Sequence, residues 1–142
     1  MINVGITGST GFIGWHLSST LSLEPKKFKL IKFQRRWFSD IVKLDSFVER
    51  CDIIVHLAGL NRHNEDNVLY QTNKGLAEKL VESFNRTNFK GRFLFSSSIQ
   101  EERKNTFGNS KRVARELFSN WAKTKGAKFY GLIIPNVFGA FG

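Results

Sequence analysis

The chain has 142 residues, a length that suits one domain with a hydrophobic core. Hydrophobic residues make up 41% of it, which argues against disorder, and its single cysteine, Cys51, excludes an internal disulfide and favours a reducing compartment. No apolar run approaches the roughly 20 residues of a membrane span, and no signal-peptide pattern precedes the first predicted strand, so we expect a soluble, cytoplasmic protein without a membrane partner.

The first 14 residues, MINVGITGSTGFIG, organise the chain. Apolar residues over Ile2–Ile6 predict a short buried strand, and Trp15–Leu23 has helix-compatible spacing. Between them, Gly8, Gly11 and Gly14 permit a tight turn, close approach to a pyrophosphate, and close packing of helix on strand. The free amides and dipole of a helix N-terminus favour phosphate there. A plain glycine-rich turn is the alternative, but a motif placed between strand and helix favours dinucleotide binding.

Strands and helices alternate along the rest of the chain. Further strands are predicted at Phe28–Phe33, Asp52–Leu57, Arg92–Phe95 and Phe129–Ile134. Helices are predicted at Val42–Arg50, Glu65–Asn85 and Phe107–Lys125, with Thr106 capping the last, and Gln34–Asp40 is predicted to be a loop. This alternation predicts a Rossmann-type α/β fold, a doubly wound parallel sheet of about five strands covered on both faces.

The domain prediction is a single NAD(P)-binding domain over residues 1–142. The chain ends in the loop Pro135–Gly142, just past the fifth predicted strand, whereas dinucleotide-binding sheets commonly have six strands or more. We therefore expect a domain truncated at its C-terminus.

The residues after the second predicted strand bear on the choice of dinucleotide. An acidic residue about 20 positions past the glycines binds the adenosine ribose in NAD-binding proteins, but here Arg35 and Arg36 stand at that place. An arginine can pair with a 2′-phosphate through its planar guanidinium. The sequence thus favours NADP over NAD, with ordinary surface arginines and NAD as the alternative.

Several separated motifs together resemble the extended short-chain dehydrogenase/reductases, also called the NAD-dependent epimerase/dehydratase family. They are TGSTGFIG at residues 7–14, DIIVHLAG at residues 52–59 and SSS at residues 96–98. Within that family, HLAGLNR, SSSIQ, GNSK and PNVFG at residues 56–62, 96–100, 108–111 and 135–139 are similar to the CapF/WbjC type. Those proteins are capsular-polysaccharide and O-antigen reductases of UDP-linked deoxyhexoses, and their further substrate-binding segments and cupin domain are not part of this sequence.

The resemblance implies roles for particular residues. It places Ser98 on the substrate carbonyl, with Ser97 as the fallback, and Asn73 near the active site. Lys111 holds the nicotinamide ribose and lowers the pKa of a neighbouring tyrosine. The implied cofactor-binding residues are Gly8, Gly11, Phe12, Ile13, Gly14, Arg35, Arg36, Leu57, Ala58, Gly59 and Lys111. A polar strand end and an exposed helix lysine are the plain alternatives for Ser96–Ser98 and Lys111, and no metal site is predicted.

One departure from the family falls on the proton donor. The family's tyrosine stands four residues before the lysine, and here that residue is Phe107. Phenylalanine has no proton to give to the alkoxide that hydride transfer leaves. The loss of a positioned general acid typically costs ~10²–10⁴-fold in rate, so activity of this chain is in question.

The net charge leaves a further alternative open. The chain has 22 Lys and Arg residues against 12 Asp and Glu residues, a formal net charge of +10, which attracts anionic ligands. The basic residues are scattered, so a solvated basic surface is favoured over nucleic-acid binding. The hypotheses are then a NADP-dependent oxidoreductase acting on a UDP-sugar in capsular polysaccharide biosynthesis, a catalytically inactive dinucleotide-binding module or gene remnant, and a basic nucleic-acid-binding protein. A homo-oligomer is possible in each.

Overall fold

The structure, a computed structural model, describes residues 1–139. Its strands are β1 (Ile2–Thr7), β2 (Phe28–Ile31), β3 (Ile53–His56), β4 (Arg92–Ser98) and β5 (Lys128–Ile134). Its α-helices are α1 (Phe12–Leu21), α2 (Ile41–Glu49), α3 (Asp66–Thr87) and α4 (Thr106–Lys125). Two short 3₁₀ helices cover Arg35–Ser39 and Ile99–Glu102.

The five strands form one parallel sheet in the order β2-β1-β3-β4-β5. The chain passes from β1 to β2 on one side and then returns to place β3 on the other side of β1. This reversal creates a switch point at the carboxyl ends of β1 and β3, where doubly wound sheets bind their ligands. The predicted Rossmann-type α/β fold is confirmed.

The two faces of the sheet are covered unequally. Helices α2, α3 and α4 pack on one face over an aromatic core that includes Phe47, Phe84, Phe93 and Phe118, each at most 1% exposed. On the other face α1 packs with Leu17 and Leu21 against a smaller cluster around Val4, Ile6 and Val55. The crossover from β1 to β2 runs in one direction along the sheet, and the three later crossovers run in the other. Right-handed crossovers that run in the same direction lie on the same face, so α1 is the single described α-helix on its face.

The prediction that both faces are covered is therefore wrong for part of the described chain. In β5, Tyr130 and Leu132 pair with Leu94 and Ser96 of β4 and are 48% and 44% exposed. Helix α4 packs on β5 from the opposite face, but among residues 1–139 no helix covers Tyr130 and Leu132 on the face that carries α1. The same residues include no helix with both the length and the apolar character needed to cross a lipid bilayer.

Four local predictions also need correction. The second strand ends at Ile31 rather than Phe33, and the predicted loop over Gln34–Asp40 contains the 3₁₀ helix, which buries Phe38 in the core. Helix α1 begins at Phe12, directly after Gly11, rather than at Trp15. The cap of α4 is Asn105 rather than Thr106, because the Asn105 side chain accepts a hydrogen bond from the Gly108 amide at 2.7 Å.

Candidate functional site

The glycine turn links β1 to α1 through a tight approach of several backbone segments. Gly8 has φ +77°, and a Cβ there would lie 2.7 Å from the Ala58 amide nitrogen. A Cβ at Gly14 would collide with the Gly8 carbonyl oxygen. At Gly11, by contrast, a Cβ would lie at an ordinary 3.4 Å from that oxygen, and φ is −74°. The fold itself requires Gly8 and Gly14, whereas Gly11 leaves open space in front of the turn.

A cavity of about 1120 Å³ opens in front of this turn. Residues at or just past the carboxyl end of every strand line it, together with side chains from α3 and α4. The lining residues of the predicted site are Gly8, Gly11, Phe12, Ile13, Gly14, Arg35, Leu57, Ala58, Gly59, Ser97, Ser98, Phe107 and Lys111. Parallel strands present their carboxyl ends at one edge of the sheet, so segments far apart in sequence share this cavity.

The start of α1 offers hydrogen-bond donors to the cavity. Its cap residue, Gly11, has no side chain to cap the helix, and the first turn contains no acidic residue. The first amides of a helix lack intrahelical acceptors, so those of the first turn are available to an anion. This donor set, with open space at Gly11 and a basic side chain nearby, fits the pyrophosphate of a dinucleotide.

The two arginines after β2 are placed differently. Arg35 lines the cavity, whereas Arg36, the next residue of the 3₁₀ helix, is exposed and is not among the described residues that line it. Of the two predicted candidates, only Arg35 is thus placed at the cavity.

The loop after β3 forms one wall of the cavity and is tied to α3. Asn73 Oδ1 accepts from the Leu60 amide at 2.7 Å, and Asn73 Nδ2 donates to the Leu60 carbonyl at 2.9 Å and to Ser110 Oγ at 3.0 Å. A Cβ at Gly59 would lie 2.9 Å from Asn73 Oδ1. Asn73 is buried behind the cavity, where it joins the loop to the helix that carries Lys111.

The serines at the end of β4 have different hydrogen bonds. Ser98 Oγ accepts from the Gln100 amide at 3.1 Å, which leaves the Ser98 proton free to be donated. Ser97 Oγ instead donates to Glu101, whose carboxylate also accepts from Arg115 at 2.8 Å. Burial acts to raise the pKa of Glu101, but hydrogen bonds from Arg115 and Ser97 hold it below its ordinary value. The geometry favours Ser98 over Ser97 as the residue with a free hydroxyl proton.

Lys111 is a buried cation, 8% exposed, which excludes the alternative of an exposed helix lysine. Its Nζ donates to the Ser96 carbonyl at 3.1 Å and lies 5.1 Å and 5.7 Å from the ring centroids of Phe95 and Phe107. Burial lowers the pKa of Lys111 to about 8. The half-buried Phe107 ring therefore stands directly beside the amine, but it carries no hydroxyl group.

Several lining residues were not predicted from the sequence: Phe33, Phe38, Asn61, Arg62, Leu76, Gln100 and the segment 134–137. Most of them follow the carboxyl ends of β2, β3, β4 and β5. The rule that ligands bind outside those ends could have found them. Leu76, in the middle of α3, has no such signal.

The fold and the cavity together define a Rossmann-type α/β domain with a ligand crevice at its switch point. Residues 4–142 match the NAD dependent epimerase/dehydratase family. The chain belongs to this family, which supports nicotinamide dinucleotide binding and confirms the predicted resemblance.

Three relatives illustrate the similarity. A UDP-2-acetamido-2,6-beta-L-arabino-hexul-4-ose reductase of Pseudomonas aeruginosa is 33% identical over 138 residues, 97% of this chain and 36% of the reductase. The structure of CapF, a capsular polysaccharide assembling protein from Staphylococcus aureus, is 29% identical, with a TM-score of 0.78 over 99% of this chain and 36% of CapF. The fold of RMD from Pseudomonas aeruginosa, solved with NADPH, matches with a TM-score of 0.83 at 23% identity over 96% of this chain and 54% of RMD. The chain thus spans about a third to a half of these proteins.

Proposed function

We propose that this chain binds NADP(H) in the cavity at the switch point and is the cofactor-binding domain of a nucleotide-sugar reductase. The observation that carries the proposal is that one cavity joins the glycine turn, Arg35, Ser98 and Lys111. The 33% identity to a reductase of a UDP-linked sugar supports a UDP-linked deoxyhexose as the substrate class. The likeness to CapF supports a place in the synthesis of a surface polysaccharide.

In this proposal different residues bind different parts of the cofactor. The amides at the start of α1 bind the pyrophosphate, with the open space at Gly11 allowing close approach of its backbone. Arg35 pairs with the 2′-phosphate and accounts for a preference for NADPH over NADH. Lys111 donates hydrogen bonds to the nicotinamide ribose, because its Nζ retains protons beyond the one given to the Ser96 carbonyl.

The substrate end of the cavity can orient a carbonyl, but at Phe107 it lacks the hydroxyl acid that a tyrosine would supply. When bound, NADPH supplies a hydride to a carbonyl carbon, and the carbonyl oxygen then needs a proton. Ser98 can donate a hydrogen bond to that oxygen, but a serine hydroxyl is not an acid at neutral pH. Because Phe107 has no proton to transfer, we expect turnover ~10²–10⁴-fold below that of a site with a positioned acid.

The position of Phe107 favours a second candidate, a catalytically inactive dinucleotide-binding module. Its ring occupies the place beside Lys111 without disturbing the lysine's hydrogen bond, so binding can persist where chemistry is lost. Turnover of a UDP-linked keto sugar with NADPH would support the reductase, and binding without turnover would support the module.

The first experiment is a fluorescence titration of the purified chain with NADPH and, in parallel, with NADH. Saturable binding that is tighter for NADPH supports the proposal. A chain that is folded by circular dichroism but binds neither dinucleotide contradicts both candidates. Salt-dependent RNA binding that NADPH does not displace would then favour the nucleic-acid alternative.

A further inference from the structure

One hydroxyl group holds the end of β1 against the loop that follows β3. Thr7 Oγ1 accepts from the Leu57 amide at 3.2 Å and from the Ala58 amide at 3.3 Å. The Leu57 amide also donates to the Thr7 carbonyl at 3.0 Å, so the hydroxyl matters most to Ala58. Thr7 is fully buried, and a partly buried amide that loses its acceptor is costly.

The contacts of Thr7 Oγ1 identify the atom that accepts its hydrogen bond. A hydroxyl has one proton and two lone pairs, and here the two amides occupy the lone pairs. The remaining contact of Thr7 Oγ1 is His56 Nδ1, at 2.6 Å. Thr7 must therefore donate to Nδ1, which requires a neutral imidazole with its proton on Nε2.

The surroundings of His56 keep the imidazole neutral and fixed. The ring is 2% exposed, stacks on Phe95 with centroids 5.7 Å apart, and meets Phe118 edge-on at 5.9 Å. Burial, with a smaller contribution from the Lys111 charge, lowers the pKa of His56 to about 3. An imidazolium, which would have to donate from Nδ1 and so reverse the bond to Thr7, does not form near neutral pH.

These contacts bear directly on the cavity. Leu57 and Ala58 line it, and the Gly8 backbone approaches Ala58 so closely that a Cβ at Gly8 would lie 2.7 Å from the Ala58 nitrogen. The Thr7 hydroxyl thus accepts hydrogen bonds from the same loop against which the glycine turn packs.

We infer that Thr7 and His56 are a positioning pair for the dinucleotide site: His56 Nδ1 accepts a hydrogen bond from the Thr7 hydroxyl and so directs the hydroxyl lone pairs at the Leu57 and Ala58 amides. Neither residue lines the cavity, and both act through the loop that does. The effect on binding rests on the proposed function, whereas the effect on the loop does not.

The pair is tested with two disruptive and two conservative substitutions. Thr7→Val removes the hydroxyl, and His56→Phe removes the acceptor while keeping a ring in the aromatic core. Each should weaken NADPH binding about five- to tenfold, as expected for one lost hydrogen bond. Thr7→Ser keeps the hydroxyl and His56→Asn keeps an acceptor near Nδ1, so both should bind within about twofold of the original chain. The double Thr7→Val, His56→Phe variant should be no weaker than either single variant, because both remove the same interaction.

A matched control separates positioning from loss of stability. Ser83 is equally buried and donates to Asp45 at 2.6 Å, far from the cavity. Ser83→Ala should lower the free energy of unfolding and leave the NADPH Kd unchanged. If Thr7→Val and His56→Phe behave like Ser83→Ala, or if their effects on Kd multiply in the double variant, the inference is overturned.

Two measurements test the Thr7–His56 pair without any dinucleotide. Without ligand, the Ala58 amide should exchange its hydrogen about five- to tenfold faster in Thr7→Val and His56→Phe than in the original chain. In the unsubstituted protein, nitrogen NMR should show the His56 proton on Nε2. Faster Ala58 exchange in a chain that does not bind NADPH would support the pair and contradict the proposed function. Unchanged exchange, or a proton on Nδ1, would contradict the pair even if NADPH binds.

Discussion

The two ends of the cavity are equipped differently. The glycine turn presents the first amides of α1, the open space at Gly11 and the cavity-lining Arg35, which under the proposed function bind the anionic cofactor. At the other end, Ser98 and Lys111 are in place, but Phe107 stands beside the lysine without a hydroxyl group. Under the proposed function, binding and chemistry therefore depend on separable groups.

The physical reason lies in what each end uses. The binding end relies on backbone amides and on close backbone approaches, which the packing of β1, α1 and β3 maintains as a unit. The chemical end relies on a proton carried by a single side chain. One substitution can remove that proton and leave the fold unchanged, because phenylalanine and tyrosine differ only by one oxygen at the ring edge.

The largest expected effect comes from replacing Phe107 with a residue that can donate a proton. Phe107→Tyr should raise NADPH-dependent turnover of a UDP-linked keto sugar by ~10²–10⁴-fold, because it supplies a positioned general acid. The NADPH Kd should change less than about twofold, since the residue does not belong to the binding end. Steady-state oxidation of NADPH measures the first and the titration measures the second. Phe107→Leu, which also lacks a proton, is the matched control and should stay slow; equal rates for the tyrosine and leucine variants would contradict the separation.

A second prediction removes binding without touching chemistry. Gly11→Val should fill the open space before the turn and weaken NADPH binding by about 10- to 100-fold, as overpacking does elsewhere. Its circular-dichroism spectrum should stay native, because the fold leaves room for a Cβ at Gly11. Gly14→Ala, whose Cβ meets the Gly8 carbonyl, should instead lower the melting temperature. Undiminished binding by Gly11→Val would mean that the dinucleotide does not lie against the turn.

The third prediction concerns the buried imidazole between the two ends. Burial lowers the pKa of His56 from 6.5 to about 3, so the folded state disfavours the proton that the unfolded chain accepts. The free energy of unfolding is therefore highest above about pH 6.5 and declines as the pH falls toward 3, by on the order of 2 kcal/mol at pH 5. Urea unfolding at pH 7, 6 and 5 measures the decline. His56→Asn should flatten it, whereas the exposed-histidine control His63→Asn should retain it; an equal slope in both would exclude His56 as its source.

The smallest expected effect distinguishes the two arginines. Arg35→Ala should reduce the preference for NADPH over NADH by about tenfold, the loss of one charge-assisted contact at a solvent-exposed site. Arg36→Ala is the matched control with the same charge change, and it should leave the ratio of the two Kd values unaltered. A reduced ratio in Arg36→Ala alone would reverse the assignment, and no change in either would make both ordinary surface charges.

Much of the fold could be predicted from local patterns. The strand pattern over residues 2–6, the glycines and the helical periodicity of α3 and α4 are local signals, and they predict elements that the structure contains. The 3₁₀ helix at Arg35–Ser39 escaped prediction because its stability comes from burying Phe38 in the core, a contact between distant segments. The Asn105 cap was missed because both Asn105 and Thr106 are good capping residues, and only the backbone geometry chooses between them.

The sequence by itself determined the α/β class, the glycine turn and the presence of Phe107 where the family has a tyrosine, because each of these depends only on residue type and spacing. Tertiary structure alone decided that Arg35 rather than Arg36 lines the cavity and that Ser98 rather than Ser97 keeps a free proton. It also placed His56 against Thr7, 49 residues away along the chain. Register between parallel strands creates such pairs, and it depends on how the whole sheet packs rather than on any short stretch of residues.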